Sequence, residues 1–119
     1  MQNRENILRQ KSYLFALRIV RVYKFLSESN KEYVLSKQVL RSGTSIGANV
    51  VEATQAQSKA DFVSKLSVSL KESFETEYWL NLLRDSEYLT DAQAESLISD
   101  CCELQKILTS SIKTAKANS

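Results

Sequence analysis

Carboxylates and guanidinium groups are the reactive side chains that this sequence sets at regular intervals, and imidazole is missing, because the chain has no histidine. That excludes Ser/His/Asp and Cys/His nucleophile systems, HExxH zinc sites and the histidine-containing di-iron sites of helical bundles. The two cysteines, Cys101 and Cys102, are adjacent, which is neither the CxxC redox spacing nor a metal-ligand pair. They read as reduced thiols inside a cell, with Cys101 a small core residue. Glu52, Glu75, Asp100 and Glu103 are oxygen ligands of the type magnesium or calcium takes, yet they follow neither an EF-hand loop nor the spacing of a bundle di-metal site. Paired carboxylates for glycoside chemistry have the same generic support and no recognisable cleft. The reading is a protein with no catalytic residue, no metal and no cofactor.

Cations point elsewhere. Arg4, Arg9, Lys11, Arg18, Arg21, Lys24, Lys31, Lys37 and Arg41 make residues 1–41 strongly basic, with nine Lys/Arg against three Asp/Glu, whereas residues 42–103 hold four against eleven. Arg18, Arg21 and Lys24 recur every three residues beside Tyr23, a helical strip suited to touching RNA or DNA phosphates without reading bases. No RRM, KH or helix-turn-helix signature accompanies it. The alternative is a solvated face balanced by an acidic neighbouring helix. Arg41, Ser45, Asn49 and Glu52 line one side of a second helix, and Glu72, Glu75, Glu77, Tyr78 and Trp79 crowd a third. A contact from Arg41 or Asn49 to a third-helix glutamate would set helix register or a subunit interface; otherwise these groups face solvent.

The elements that must carry these groups are helical. In 119 residues, 43% hydrophobic, there are two glycines and no proline, which leaves little turn chemistry for hairpins or long loops. Apolar spacing predicts one domain over residues 1–119, with helices at about 12–28, 30–57, 59–85 and 91–114 and a fraying tail from Lys113. Ser29/Glu32, Ser58/Asp61 and Thr90/Gln93 are spaced as capping boxes for the last three. Their inward rows are Leu35/Val39/Ser42/Ile46/Val50/Ala53, then Phe62/Leu66 with Val63/Leu70/Phe74, continued by Leu80 and Leu83, then Leu97/Cys101/Leu104/Leu108/Ile112. Gly43 and Gly47, one turn apart, each cost about 1 kcal/mol of helix propensity and so mark close helix approach or, alternatively, a break near Ser42–Ser45. Short connections make the expected fold an antiparallel, up-down-up-down four-helix bundle.

The first helix carries two apolar rows, Phe15/Ile19/Val22/Leu26 and Tyr13/Leu17/Val20, more than one bundle covers. With Tyr78 and Trp79 on the third helix, this surplus calls for self-association or another partner. No stretch reaches the length of a membrane span, and the charged N-terminus is unlike a signal peptide, so a cytoplasmic location is expected.

The stretch LSKQVLRSGTSIGANVVEATQAQSKADFVSKL, Leu35–Leu66, resembles the signature of the four-helix-bundle proteins encoded in intervening sequences of bacterial 23S rRNA genes. LSVSLKESFETEYWLNLL, Leu66–Leu83, is similar to the third helix of one subgroup. The likeness spans roughly residues 12–110, departing where Asn49-Val50-Val51-Glu52-Ala53 replaces a family NIxEG. It implies a cytoplasmic, ring-like homo-oligomer, a homopentamer with a central channel. It also implies kinship in fold with accessory proteins of diversity-generating retroelements, which associate with a reverse transcriptase and bind nucleic acid. Possible partners are therefore a second copy, RNA or DNA, or a nucleic-acid-processing protein, and not a membrane; a pure protein-interaction module is the alternative.

Overall fold

A computed structural model of the chain describes residues 3–118, with side chains from Glu5 onward. Four helices follow one another: α1 (Asn3–Lys24), α2 (Leu35–Thr54), α3 (Lys59–Asp85) and α4 (Asp91–Ala117). Helices of 20 to 27 residues rise about 30–40 Å. Joined by connections of ten, four and five residues, the first of them half π turn, in a body 48 Å long, they must reverse direction at each turn. Each packs on its neighbours in the chain, and α1 closes the bundle against α4.

Two helix starts differ from those predicted. α1 begins at Asn3 rather than near Ser12, because Leu8 continues the inward row through Ser12, Phe15, Ile19, Val22 and Leu26, all buried. The second helix begins at Leu35 rather than at residue 30, because α1 ends in a π turn, Phe25–Ser29, and Lys31 then adopts a left-handed backbone, φ 56°. Ser29 is used up in that turn and caps nothing. Instead, the Glu32 carboxylate accepts the Val34, Leu35 and Ser36 amides at 3.1, 3.0 and 2.7 Å, an anion at the positive end of a helix. Burial raises the Glu32 pKa, yet these amides leave it below the ordinary carboxylate value.

The other two starts follow local chemistry. Ser58 Oγ accepts the Asp61 amide, and Thr90 and Gln93 form a reciprocal capping box. α2 runs without a break through Ser42–Ser45 and stops at Thr54 rather than Gln57, while α4 stays helical to Ala117, past Lys113.

The core holds the predicted rows of α1, α2 and α4 and, from the predicted α3 stripe, Leu66, Leu80 and Leu83, with Phe62 and Leu70 packed against it; between Leu66 and Leu80, α3 buries hydroxyl residues instead. Its buried line is Leu66, Ser69, Ser73, Thr76, Leu80 and Leu83, and Phe74, expected inside, is 54% exposed. Small hydroxyl residues can be buried there because each finds an acceptor: Ser69 donates to the Ile46 carbonyl at 2.8 Å, Ser73 to Leu70, and Thr76 to Glu72 and to Ser42 Oγ. A satisfied hydroxyl avoids the desolvation penalty that would otherwise exclude it, and its small volume lets α2 and α3 approach closely.

Candidate interaction surfaces

Arg41 on α2 is the centre of the most connected polar cluster. Its guanidinium spans the seam to α3, donating to Glu72 at 3.2 and 3.3 Å and to Glu75, which also accepts the Trp79 indole N–H at 2.9 Å. The Arg41 bond, then the Trp79 bond, holds the Glu75 carboxyl below its usual range; the Glu75 bond in turn raises the Arg41 pKa. Half of the Arg41 side chain remains exposed, so each ion pair contributes about 1 kcal/mol or less. What the cluster supplies is geometry: a planar fork on two carboxylates one turn apart admits a single α2/α3 register. Tyr78 meets the Trp79 ring edge-on, centroids 5.0 Å apart, and is itself exposed.

The remaining polar residues of α2 do not join this cluster. Asn49 donates back to the Ser45 carbonyl at 2.8 Å, and Glu52 pairs with Lys65 at 3.1 Å. The glycines face α1: a Cβ on Gly43 would lie 2.8 Å from both Cγ atoms of Ile19, and one on Gly47 would lie 3.4 Å from the Ser12 carbonyl oxygen.

The basic strip of α1 is divided by α4. Arg18 binds Asp100 at 2.7 Å and reaches the Ser96 carbonyl and hydroxyl, while Lys11 pairs with Glu103 at 3.1 Å. Arg21, Lys24 and Lys37 are exposed and have no ion-pair partner among the described residues. The Arg4 side chain lies outside the described ones. Of the basic residues of the first 41, then, Lys11, Arg18 and Arg41 are tied to acidic neighbours, whereas Arg9, Arg21, Lys24, Lys31 and Lys37 have no ion-pair partner among the described residues. The four carboxylates considered as oxygen ligands are dispersed into four ion pairs, with Lys65, Arg41, Arg18 and Lys11. No group of three or more metal-type ligands occurs among the described residues.

Cys101 is fully buried, its thiol donating to the Ser73 carbonyl at 3.2 Å. Desolvation first, then the neighbouring Cys102 and acidic groups, push its pKa up to about 12. It is a packing residue without thiolate reactivity.

Apolar surface is left uncovered on two flanks. On α1, Tyr13, Leu14 and Leu17 are exposed, at 65%, 59% and 37%; on α3, Phe74 and Tyr78 are exposed. Beside α1 the seam with α4 opens into two shallow grooves of about 320 and 330 Å³, which share Arg18 and Arg21 and are floored by Phe25, Leu89 and Leu97 and by Leu14 and Leu17. The α1 surface was legible in the second row of that helix. Phe74 was missed, because the hydroxyl line that replaces it in the core looks polar in sequence. Among the described residues no helix is long and apolar enough to cross a membrane.

Comparison with known proteins places these features in context. A family described as "23S rRNA-intervening sequence protein" matches residues 4–110. The crystal structure of a protein of unknown function from the S23 ribosomal protein family of Bacteroides thetaiotaomicron is 57% identical in sequence. It superposes with a TM-score of 0.92 over 92% of this chain and 98% of that one. No curated protein matches.

Proposed function

Given that the chain belongs to the 23S rRNA-intervening sequence protein family, we propose that it acts as a non-catalytic helical scaffold that assembles with copies of itself. The observation that carries this reading is the outward row of α1, where Tyr13, Leu14 and Leu17 stay exposed although α1 already supplies a full inward row. Contiguous apolar surface of this kind is characteristic of docking sites. The absence of a metal cluster among the described residues and the buried, unreactive Cys101 are consistent with a role without catalysis. Five subunits is the number that the family resemblance implies. Size-exclusion chromatography with light scattering tests the reading: a ring of five 13.5 kDa chains gives about 67 kDa, and a stable 13.5 kDa species at micromolar concentration overturns it.

A second reading adds contact with RNA or DNA, directly or beside a nucleic-acid-processing protein such as the reverse transcriptases served by retroelement accessory proteins. What favours it is the set of exposed cations Arg21, Lys31 and Lys37, which have no ion-pair partner among the described residues. A ring would multiply an individually weak phosphate contact by avidity. Filter binding of mixed-sequence RNA at low salt should show weak association that falls as salt rises and is lost when the three are changed together to glutamine. No association by folded, assembled protein leaves a pure protein-interaction module.

A further inference from the structure

The self-assembly reading leaves open which surfaces meet, and the placement of the exposed apolar residues bears on that. α1 and α3 each pack on α2 and α4, so they lie diagonally across the bundle. In an up-down-up-down chain they run in the same direction. On α1, Tyr13, Leu17 and Lys24 are separated by four and then seven residues; on α3, Phe74, Tyr78 and Asp85 repeat that spacing. Eleven residues make about three helical turns, a rise of about 16 Å, so each trio forms one straight line along its helix. All six side chains are exposed. Each line places two large side chains toward mid-helix and one charge toward the same end of the bundle, that of the α1–α2 and α3–α4 turns. The charges are opposite. Lys24 has no ion-pair partner among the described residues, and Asp85, although beside Arg84 Nε at 3.1 Å, keeps 68% of its side chain exposed.

We infer that the Tyr13/Leu17/Lys24 line of one copy packs against the Phe74/Tyr78/Asp85 line of a second copy. Resting on the self-assembly reading, this assigns the contact as head-to-tail. Two lines with equal spacing and direction meet in register when the bundles stand side by side, with leucine and tyrosine against two aromatic rings and the ammonium against the carboxylate. Because the lines are on opposite flanks, a bound copy still presents its other line to a third. Such a heterologous contact propagates and closes into a ring when the rotation permits. A self-complementary dimer would instead use one line twice and leave Lys24 without a carboxylate, facing Lys24 if the lines run parallel and Tyr13 if they run antiparallel.

A charge-swap cycle read by sedimentation equilibrium at low ionic strength tests the contact, with far-UV circular dichroism verifying that each full-length variant is folded. Lys24→Glu and Asp85→Lys should each raise the dissociation constant about fivefold, since each turns an exposed attraction into a repulsion. The double variant should return to within about twofold of wild type, and the differences should shrink at high salt. Single variants without effect, or a double variant as weak as the two single losses multiplied, overturn the pairing while leaving self-assembly standing. A monomeric wild type overturns both.

Discussion

Gly43→Ala pits helix propensity against packing at one well-defined place. On an open helix face the change would stabilise by about 1 kcal/mol. Here the new methyl group would sit 2.8 Å from Cγ1 and Cγ2 of Ile19 and 3.2 Å from its Cβ, and Ile19 is wholly buried. These atoms are the branch point of the side chain and cannot swing aside, so α1 and α2 must part by some tenths of an ångström. Overpacking of this kind costs about 1–3 kcal/mol, which leaves a net loss of about 1 kcal/mol and a fall of several degrees in Tm. Ile19→Ala alone should cost about 2–5 kcal/mol through lost burial and the cavity left behind. In that background, however, Gly43→Ala should stabilise by about 1 kcal/mol, because the clashing atoms are gone and the propensity gain remains. The coupling is therefore about 2 kcal/mol. Urea denaturation of the four proteins at one fixed chain concentration measures it, fixed because assembly is linked to folding. If Gly43→Ala has the same sign and size in both backgrounds, the close approach of α1 to Gly43 is wrong.

Three further outcomes follow from individual groups. Ser111 is buried and its hydroxyl has no hydrogen-bond partner among the described residues, so Ser111→Ala should stabilise by about 1 kcal/mol, seen as a rise in urea midpoint; a loss of stability would mean the hydroxyl is satisfied. Glu32→Ala removes the carboxylate that accepts three amides at the start of α2 and should cost about 1–2 kcal/mol by the same measurement, whereas a neutral result would show that α2 needs no cap from this residue. Because the folded-state pKa of Glu75 is lowered from 4.5, its contribution is whole above that value and is lost as pH falls through the lowered one. Fluorescence of Trp79, the single tryptophan, should report that step, and Arg41→Gln should move its midpoint upward; an unmoved midpoint would show that Arg41 does not hold Glu75.

How much of this was legible in sequence depended on whether the signal was local. Thr90 and Gln93 announce a helix start because both halves of their capping box lie within four residues. The same logic failed at Ser29: a π turn and the left-handed Lys31 intervene, and Glu32 caps from three residues before α2 begins. Hydrophobic spacing identified the inward rows of α1, α2 and α4 and both ends of that of α3, at Leu66 and at Leu80 and Leu83, but not its middle, where Ser69, Ser73 and Thr76 occupy the core. A hydroxyl reads as polar unless its acceptor is known, and Ser69 finds its acceptor on another helix.

The charged groups show the same division. That Arg41 meets a third-helix glutamate was foreseeable, because both rows lie on adjacent antiparallel helices joined by a short turn. That Arg18 meets Asp100 was not, since it depends on the rotation of α1 and α4 about their axes over a separation of 82 residues. The closing contact between the first and last helices consumes part of the basic strip and leaves the outward row of α1, Tyr13, Leu14 and Leu17, exposed.

That row is best tested by sedimentation velocity on wild type and Leu17→Glu side by side at micromolar concentration. A surface-only change should leave the far-UV circular dichroism spectrum and the helical fold intact. The scaffold account predicts a single multi-chain species for wild type and a folded 13.5 kDa monomer for the variant. A wild type that sediments as a monomer, or a variant that assembles as wild type does, contradicts it.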